Sequence, residues 1–359
     1  MSLMLYGAYG YTGKLILEEA QRRGLQLLLA GRSREKLEPL AKEAELPFRV
    51  FDLQAPEDIA KQLSEVTAVI HAAGPFKYTA RPMMEACLKA GVHYLDITGE
   101  IEVFELAAQY GTRAARAGIM LLPGTGFDVV PTDCLALFLK RQLPDATHLQ
   151  LAFSALGGGV SRGTAITMAE NLGKKGAVRT EGEISLVPIG HKTRTVPFKG
   201  KKRFAMTIPW GDVSTAWYST GIPNIETYMG ISPKAYRWVK WQRRLGLLLR
   251  QDWLRRQVKK RIRKRAPGPS EEQRRSSQSL VWGQVSNDKG DVRQARLTGP
   301  EGYTLTAFFA CHIAEKVLAG QAPEGFQTPA KAYGADLILE MEGSERELLH
   351  SETGHFEPT

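Results

Sequence analysis

Three glycines near the start of the chain, Gly7, Gly10 and Gly13, separate a short apolar stretch from a helix-like segment, residues 14–23. Strand, glycine turn and helix in this order predict a dinucleotide-binding loop, because glycines permit a tight turn and close backbone approach to a pyrophosphate. The helix N-terminus then offers unpaired N–H groups to the phosphates. Ala8 stands where the usual first glycine would be, so an ordinary glycine-rich turn is the alternative.

The next predicted strand, residues 25–30, ends at Gly31 and is followed by Arg32. An NAD-binding unit holds Asp or Glu near this place, where the carboxylate binds the ribose 2′-hydroxyl. A guanidinium at the same place pairs bidentately with a 2′-phosphate. The sequence therefore favours NADP(H) over NAD(H), the alternative being a solvated charge run that opens the next helix.

Strands and helices alternate as far as residue 122, which predicts a Rossmann-type, doubly wound parallel sheet. Ligands of such sheets bind beyond the carboxyl ends of the strands, so the loops at 74–78, 96–100 and 124–133 should converge there. The predicted cofactor-binding residues are Gly7, Tyr9, Gly10, Tyr11, Thr12, Gly13, Arg32, Ser33, Arg34, Asp52, Ala73, Gly74, Pro75 and Phe76.

Reduction of a double bond needs a proton as well as a hydride, and four residues of these loops are candidates for it. We expect Asp128 and Glu100 to line the cleft as catalytic residues, Asp96 to be more structural, and Tyr78 to be a further donor. The alternative is that Asp96 and Glu100 only cap helices and tie the loops together.

At 359 residues the chain predicts two domains. Residues 1–130 form the nucleotide-binding domain, residues 131–341 form a second α+β domain with a mixed or antiparallel sheet, and residues 342–359 form a polar, frayed tail. The first strand begins at once, so we expect no signal peptide. The three cysteines are far apart, which indicates reduced, mostly buried thiols in a cytoplasmic protein. The seven histidines have no ligand spacing, so no metal site is expected.

Residues 234–265 contain fourteen Lys and Arg against one acid, Asp252, so this segment has a net charge of +13. The whole chain has a net charge of +10, so the positive charge belongs to this segment. Its Trp and Leu residues, Trp238, Trp241, Leu245, Leu249 and Trp253, recur at helical spacing, a composition typical of helices that lie on a membrane surface. The alternatives are packing on the protein's own core, on a second subunit of a homodimer, or on acidic partners. Nucleic acid is disfavoured because no binding motif accompanies the charge. The following residues, 266–277, predict an exposed, mobile linker.

Four motifs together resemble the saccharopine dehydrogenase-like oxidoreductases. They are Gly7-Ala-Tyr-Gly-Tyr-Thr-Gly13, Ala73-Gly-Pro-Phe76, Tyr94-Leu-Asp-Ile-Thr-Gly-Glu100 and Gly124-Thr-Gly-Phe-Asp-Val-Val-Pro-Thr-Asp133. Later segments, at 161–164, 221–226 and 325–329, are similar to the bacterial branch of trans-acting enoyl reductases. The resemblance implies an NADP(H)-binding domain, a mixed α/β substrate domain, and hydride transfer at a C=C or C=N bond.

The resulting hypothesis is an NADP(H)-dependent oxidoreductase that reduces an apolar or lipid-like small molecule, with peripheral contact to an anionic membrane. One alternative is a non-catalytic nucleotide-binding scaffold at a lipid surface, since a fold alone does not fix function. Another is an amino-acid imine reductase, which needs carboxylate-binding arginines in the cleft, and Arg162 is the candidate by position.

Replacing Arg32 by Ala should remove the preference for NADPH. A charged bidentate contact contributes about 1.5–3 kcal/mol, so the wild-type protein should bind NADPH at least about tenfold tighter than NADH. Fluorescence titration of both cofactors against wild type and Arg32→Ala measures this. Equal affinities in the wild-type protein would contradict the assignment.

Overall fold

The computed structural model describes residues 2–157, 159–171, 173–244 and 251–349, without the side chains of 242–244 and 252. Its strands, numbered in chain order, are β1 (Ser2–Tyr6), β2 (Leu27–Gly31), β3 (Phe48–Val50), β4 (Val66–His71), β5 (His93–Asp96), β6 (Met120–Leu122), β7 (His148–Leu156), β8 (Gly176–Thr180), β9 (Glu183–Val187), β10 (Thr193–Phe198), β11 (Lys201–Thr207), β12 (Asn224–Gly230), β13 (Gln278–Ser286), β14 (Val292–Pro300), β15 (Gly325–Phe326) and β16 (Glu345–Leu349).

The helices, numbered in the same way, are α1 (Tyr11–Arg22), α2 (Arg34–Ala44), α3 (Pro56–Gln62), α4 (Phe76–Ala90), α5 (Ile101–Arg116), α6 (Val130–Gln142), α7 (Arg162–Glu170), α8 (Asp212–Thr220), α9 (Pro233–Arg244), α10 (Asp252–Ile262), α11 (Glu271–Arg275), α12 (Gly302–Leu318) and α13 (Pro329–Tyr333), with a 3₁₀ helix at Leu337–Glu340. Among the described residues, no helix is long and apolar enough to cross a bilayer.

The first sheet is parallel throughout and has the strand order β15-β6-β5-β4-β1-β2-β3. Its central strands are apolar on both faces because helices cover both sides, as buried parallel strands require. The order reverses direction between β1 and β4, which creates the crevice where such sheets bind ligands. The predicted Rossmann-type sheet is confirmed.

The second sheet is mixed, with the order β10-β11-β12-β7-β13-β14-β16 and with β8 and β9 as a side branch from β12. Only β12 and β7 pair in parallel within it, and the other pairs are antiparallel. The predicted hairpin around residues 287–290 is present between β13 and β14, where Gly290 has a φ of +89°. The predicted α+β second domain is therefore confirmed.

Two later elements, α12 and β15, return to the first domain, which the boundary at residue 130 did not anticipate. β15 pairs with β6 in the first sheet, and α12 packs against it through Phe309 and Ile313. The polar tail also begins later than expected, since β16 pairs with β14 and only residues 350–359 lie outside the described chain. Long-range pairing of this kind leaves no local sequence signal, because a two-residue strand is too short to show a period.

The segment predicted as a mobile linker, residues 266–277, is ordered. It contains α11, which begins with a capping box in which Ser270 and Gln273 satisfy each other's backbone N–H groups. Leu245 and Leu249 of the predicted amphipathic face lie outside the described residues. All three cysteines are buried and free, as the sequence predicted.

Asp212, at the start of α8, is a fully buried carboxyl group, and no hydrogen bond reaches either of its oxygens. The nearby Thr132 hydroxyl donates instead to the Val129 carbonyl, at 3.1 Å. Burial, together with the neighbouring Asp133, holds the pKa of Asp212 well above its usual range. Ionisation of this group therefore opposes folding.

Replacing Asp212 by Asn should stabilise the protein more at alkaline than at acidic pH. A carboxyl whose folded pKa is raised binds its proton more tightly in the native state, so its contribution to stability declines as pH rises above the unfolded pKa of 3.8. The gain in melting temperature on Asp212→Asn should grow between about pH 5 and about pH 8. Asp58→Asn, at an exposed carboxylate, is the control, and an equal gain at both pH values would contradict the prediction.

Candidate functional site

The carboxyl ends of the first sheet's strands face the second domain across a cleft of about 3140 Å³. The loops that follow β1, β2, β3, β4, β5 and β6 all contribute to its lining. The other wall comes from the second sheet and from α7 and α9. The sheet thus brings together chain segments that are far apart in the sequence.

The loop between β1 and α1 fits a dinucleotide. Gly7 has a φ of +91°, and a Cβ on Gly13 would collide with the Gly7 carbonyl oxygen, so both positions require glycine. Gly10 caps α1 without a side-chain hydrogen bond, and no acidic residue stands in the first turn. The first N–H groups of α1 are therefore available to a pyrophosphate. Gly13 itself serves packing and does not line the cleft.

Two cations, Arg32 and Lys36, line the cleft beyond β2, and neither forms an ion pair with a described carboxylate. The ring of Tyr9 lies over Gly31 beside them. Arg34 lies away from the cleft, near Glu38 at 3.8 Å, and Ser33 begins α2 without lining the cleft. Among the residues predicted to contact the 2′-phosphate, Arg32 lines the cleft and Ser33 and Arg34 do not, while Lys36 of α2 lines it in addition.

The remaining predicted cofactor residues line the cleft as expected. They are Gly7, Tyr9, Gly10, Tyr11, Thr12, Asp52, Ala73, Gly74, Pro75 and Phe76. The Asp52 carboxylate also accepts the backbone N–H of Gln54 at 3.2 Å, which closes the turn after β3.

Asp96 is a structural residue rather than part of the cleft. Its fully buried carboxylate accepts the Tyr94 hydroxyl at 2.6 Å and the backbone N–H groups of Thr98 and Gly124 at 2.9 Å each. Burial raises the pKa of Asp96 to about 7 despite these donors. The residue ties the loop after β5 to the loop after β6, so we do not retain it as a proton donor.

Glu100 lines the cleft, but both of its oxygens are already engaged. They accept the backbone N–H groups of Phe76 and Lys77 at 2.9 Å each, at the N-terminus of α4. Burial raises the pKa of Glu100, while these N–H donors oppose that effect. Glu100 therefore fixes the segment that should lie under the cofactor, which makes it a positioning residue.

Asp128 has the properties of a proton donor. Its carboxyl lines the cleft, and none of the described residues forms a hydrogen bond with it. Burial raises the pKa of Asp128 to about 8, so the group holds its proton at neutral pH. Gly99 leaves space for the Asp128 carboxyl, because a Cβ at position 99 would lie only 2.4 Å from one of its oxygens.

Tyr78 is largely exposed at the cleft rim, and its hydroxyl lies 3.4 Å from the Glu170 carboxylate. Glu170 bridges two lysines from different parts of the molecule: Lys77 of α4 at 3.0 Å, and Lys259 of α10. Burial alone would raise the pKa of Glu170, but the two ammonium groups lower it to about 2. Tyr78 and Lys77 therefore take part in a bridge across the cleft, a role that the sequence did not indicate.

A strap, defined as residues 263–269, holds the phosphate loop from the other side. The Tyr11 hydroxyl donates to the Pro269 carbonyl at 2.7 Å, and the Tyr11 ring fills the space where Gly268 lacks a Cβ. At its other end the strap meets Arg162, whose backbone N–H donates to the Pro267 carbonyl at 2.9 Å and whose guanidinium lies 3.3 Å from the Arg263 carbonyl. The prolines on either side of Gly268 indicate a turn in the sequence, but they do not indicate its contact with α1.

The second-domain wall of the cleft has a large apolar part beside basic residues, which are Lys174, Lys175, Lys201, Lys202 and Arg203. Beside Asp128, the rings of Phe127, Phe153 and Trp210 form a trio, with Phe153 and Trp210 centroids 4.3 Å apart. The wall continues from this trio through Ile166, Ile184, Pro188, Ile189, Met206, Ile208, Met229, Ile231 and Val239. We call this surface the apolar wall.

Two arginines near the cleft, Arg162 and Arg203, lie away from the aromatic trio of the apolar wall. Arg162, the sequence's candidate, contacts the strap. Arg203 of β11, which the sequence did not single out, donates to the Ser154 hydroxyl at 3.2 Å. Ser154 points to the opposite face of β7 from Phe153, because neighbouring strand residues alternate faces.

Residues 3–122 match the family model of the saccharopine dehydrogenase NADP binding domain. This part of the chain is similar to the NADP-binding domain of saccharopine dehydrogenase. The predicted cofactor, NADP(H), is confirmed at the level of this domain, and the glycine loop described above fits it.

Relatives and a solved structure extend the likeness. A rat saccharopine dehydrogenase-like oxidoreductase is 26% identical over 225 residues, covering 56% of this chain and 51% of the relative. A trans-acting enoyl reductase of Mycobacterium bovis is 31% identical over 154 residues, covering 40% of this chain and 37% of that protein. The chain thus spans about half the length of the rat relative, and it spans 37% of the length of the bacterial one.

The saccharopine dehydrogenase (L-Glu forming) of Saccharomyces cerevisiae has the same fold. It superposes with a TM-score of 0.66 over 97% of this chain and 100% of that chain, at 10% identity. At this identity the likeness shows the fold alone. The predicted relationship to saccharopine dehydrogenase-like oxidoreductases is confirmed by the domain model, these relatives and this fold.

Replacing Gly268 by Ala should weaken NADPH binding. A Cβ at Gly268 would lie 2.5 Å from the Tyr11 ring, so the ring or the strap must move away from the phosphate loop. Overpacking of this kind costs about 1–3 kcal/mol, which predicts roughly tenfold weaker binding if the phosphate loop bears it. Isothermal titration with NADPH measures the change. Gly159→Ala, whose new Cβ meets nothing closer than 4.0 Å, is the matched control, and equal affinities for the two variants would contradict the role of the strap.

Proposed function

We propose that this protein is an NADPH-dependent reductase that reduces a C=C or C=N bond of an apolar, lipid-like small molecule. The apolar wall carries the proposal, because it runs from the Asp128 carboxyl and the aromatic trio to the outer rim of the cleft. A surface of this composition suits an aliphatic chain, whose burial is favourable in proportion to its apolar area.

The residues of the chain have separable roles in this reaction. The bound cofactor supplies the hydride. The glycine loop, Arg32 and Lys36 hold its phosphates, and Glu100 fixes the start of α4 beneath it. Asp128 donates a proton to the atom of the double bond that does not receive the hydride. The Asp128 carboxylate that remains then takes up a proton from solvent.

The two alternative functions receive less support. An amino-acid imine reductase needs a guanidinium that binds the substrate carboxylate. Arg162 contacts the strap, and Arg203, although it lines the cleft, donates through one nitrogen to the Ser154 hydroxyl. A non-catalytic scaffold does not need a protonated carboxyl beside an apolar wall, and Asp128 provides one.

We propose a cytoplasmic protein that meets an anionic membrane at its periphery, which is where an apolar substrate would concentrate.

The function is tested by following NADPH oxidation at 340 nm, the absorbance band of the reduced nicotinamide, with two sets of substrates. Medium- and long-chain enoyl thioesters should be reduced, and turnover should rise with chain length as more of the apolar wall is covered. Mixtures of 2-oxo acids and amino acids, which form imines, should be inert. Turnover of the imines alone would reject the lipid-like substrate.

Once a substrate is found, Asp128→Asn should lower turnover by about 100-fold and leave NADPH affinity nearly unchanged, because general acid catalysis is lost while the phosphate contacts stay. The wild-type rate should fall as pH rises through about 8, where Asp128 loses its proton. Glu102→Gln, at an exposed carboxylate of the same cleft, is the control. Full turnover in Asp128→Asn would assign the proton to another donor.

A further inference from the structure

Exposed apolar side chains concentrate around the outer rim of the cleft. The structure exposes nine large apolar or aromatic side chains among the residues that it describes, and seven of them line the cleft or lie on the basic helices α9 and α10. These seven are Tyr78, Val160, Met168, Leu186, Trp238, Trp241 and Trp253. Single exposed apolar residues are ordinary, whereas a group gathered around one opening indicates a binding surface.

Helix α9 connects this rim to the interior of the cleft. Val239 faces inward and lines the apolar wall, and the Tyr236 hydroxyl donates to the Gly190 carbonyl at 3.2 Å. On the outer side, Trp238 and Trp241 are 58% and 54% exposed, with ring centroids 5.9 Å apart. The tryptophans therefore do not pack in the protein's own core, which was one alternative from the sequence.

Helix α10 is held firmly against α7, so its outer face has a fixed orientation. Ile262 packs with Ala165 and Ala169, and Lys259 pairs with Glu170. Trp253, at the other end of α10, is 56% exposed.

The same helices carry most of the protein's excess positive charge. Their exposed basic residues, together with those of the strap, are Lys234, Arg237, Lys240, Arg256, Lys260, Arg261, Arg263, Lys264 and Arg265. Lys259 of α10, which is less exposed than these residues, pairs with Glu170. A second copy of the chain would be repelled by this surface, since it presents the same charge.

We propose that α9, α10 and the cleft rim form a docking surface for an anionic lipid bilayer. Tryptophan is favoured at the membrane–water boundary, and Lys and Arg bind the anionic headgroups around it. The exposed Met168 and Leu186 enter the acyl boundary beside them. An RNA would explain the charge but not the apolar rim.

Docking in this orientation places the mouth of the cleft against the lipid. An apolar substrate then passes from the bilayer along the apolar wall to Asp128 without crossing water, which removes the cost of hydrating its chain. This route rests on the proposed function, whereas the docking surface itself does not.

Vesicle flotation with the full chain tests the docking surface. The protein should bind vesicles of phosphatidylcholine with phosphatidylglycerol, fail to bind phosphatidylcholine alone, and dissociate as salt screens the charges. Combined replacement of Trp238, Trp241 and Trp253 by Ala should weaken binding about tenfold or more, since each loses a boundary anchor. A second variant, in which Gln replaces Lys234, Arg237 and Lys240, should also bind the vesicles more weakly than the wild-type protein.

Leu339→Ala, at an exposed leucine away from the rim, is the control and should bind as wild type. NADPH affinity and melting temperature should be unchanged in all variants, which shows that they are folded. Absence of binding at low salt, or equal binding by the tryptophan variant, would overturn the docking surface. If vesicles bind but enoyl thioesters are never reduced, docking stands and the proposed function fails.

Discussion

The architecture depends on a close approach between α1 and the first sheet at Gly7 and Gly13. A side chain at Gly13 would collide with the Gly7 carbonyl, and Gly7 needs a positive φ. Only with both glycines can the N-terminus of α1 point its free N–H groups over the end of β1. The same end of the sheet then receives the loops after β4, β5 and β6, so one steric condition positions both the phosphate loop and the candidate residues Glu100 and Asp128.

The cleft is held by polar contacts between segments that are distant in the chain. Asp96 joins two loops of the first domain, Glu100 fixes the start of α4, and Glu170 links that helix to α10 through two lysines. Buried carboxylates are costly unless donors satisfy them, and each of these three accepts two or more. Asp128 differs from them because no described residue donates to its carboxyl, and burial raises its pKa, which makes it the candidate proton donor.

The second domain combines an apolar interior wall with a basic outer surface. Val239 and Trp238 are adjacent in α9, yet one lines the cleft and the other is exposed. A helix with two different faces can serve the substrate on one side and a partner on the other. The proposed substrate class and the proposed lipid surface thus follow from neighbouring residues of one helix.

Sequence patterns determined the parts of this protein that depend on neighbours in the chain. The glycine loop, the alternation of strands and helices, Arg32 and the hairpin around residues 287–290 all have local causes, namely turn geometry and the periods of strand and helix. The tertiary structure decided the rest. Which carboxyl keeps a proton among Asp96, Glu100 and Asp128 depends on donors that come from other segments, and the contact between Gly268 and Tyr11 joins residues more than 250 positions apart. No local pattern encodes such contacts, because they join segments that only the tertiary fold brings together.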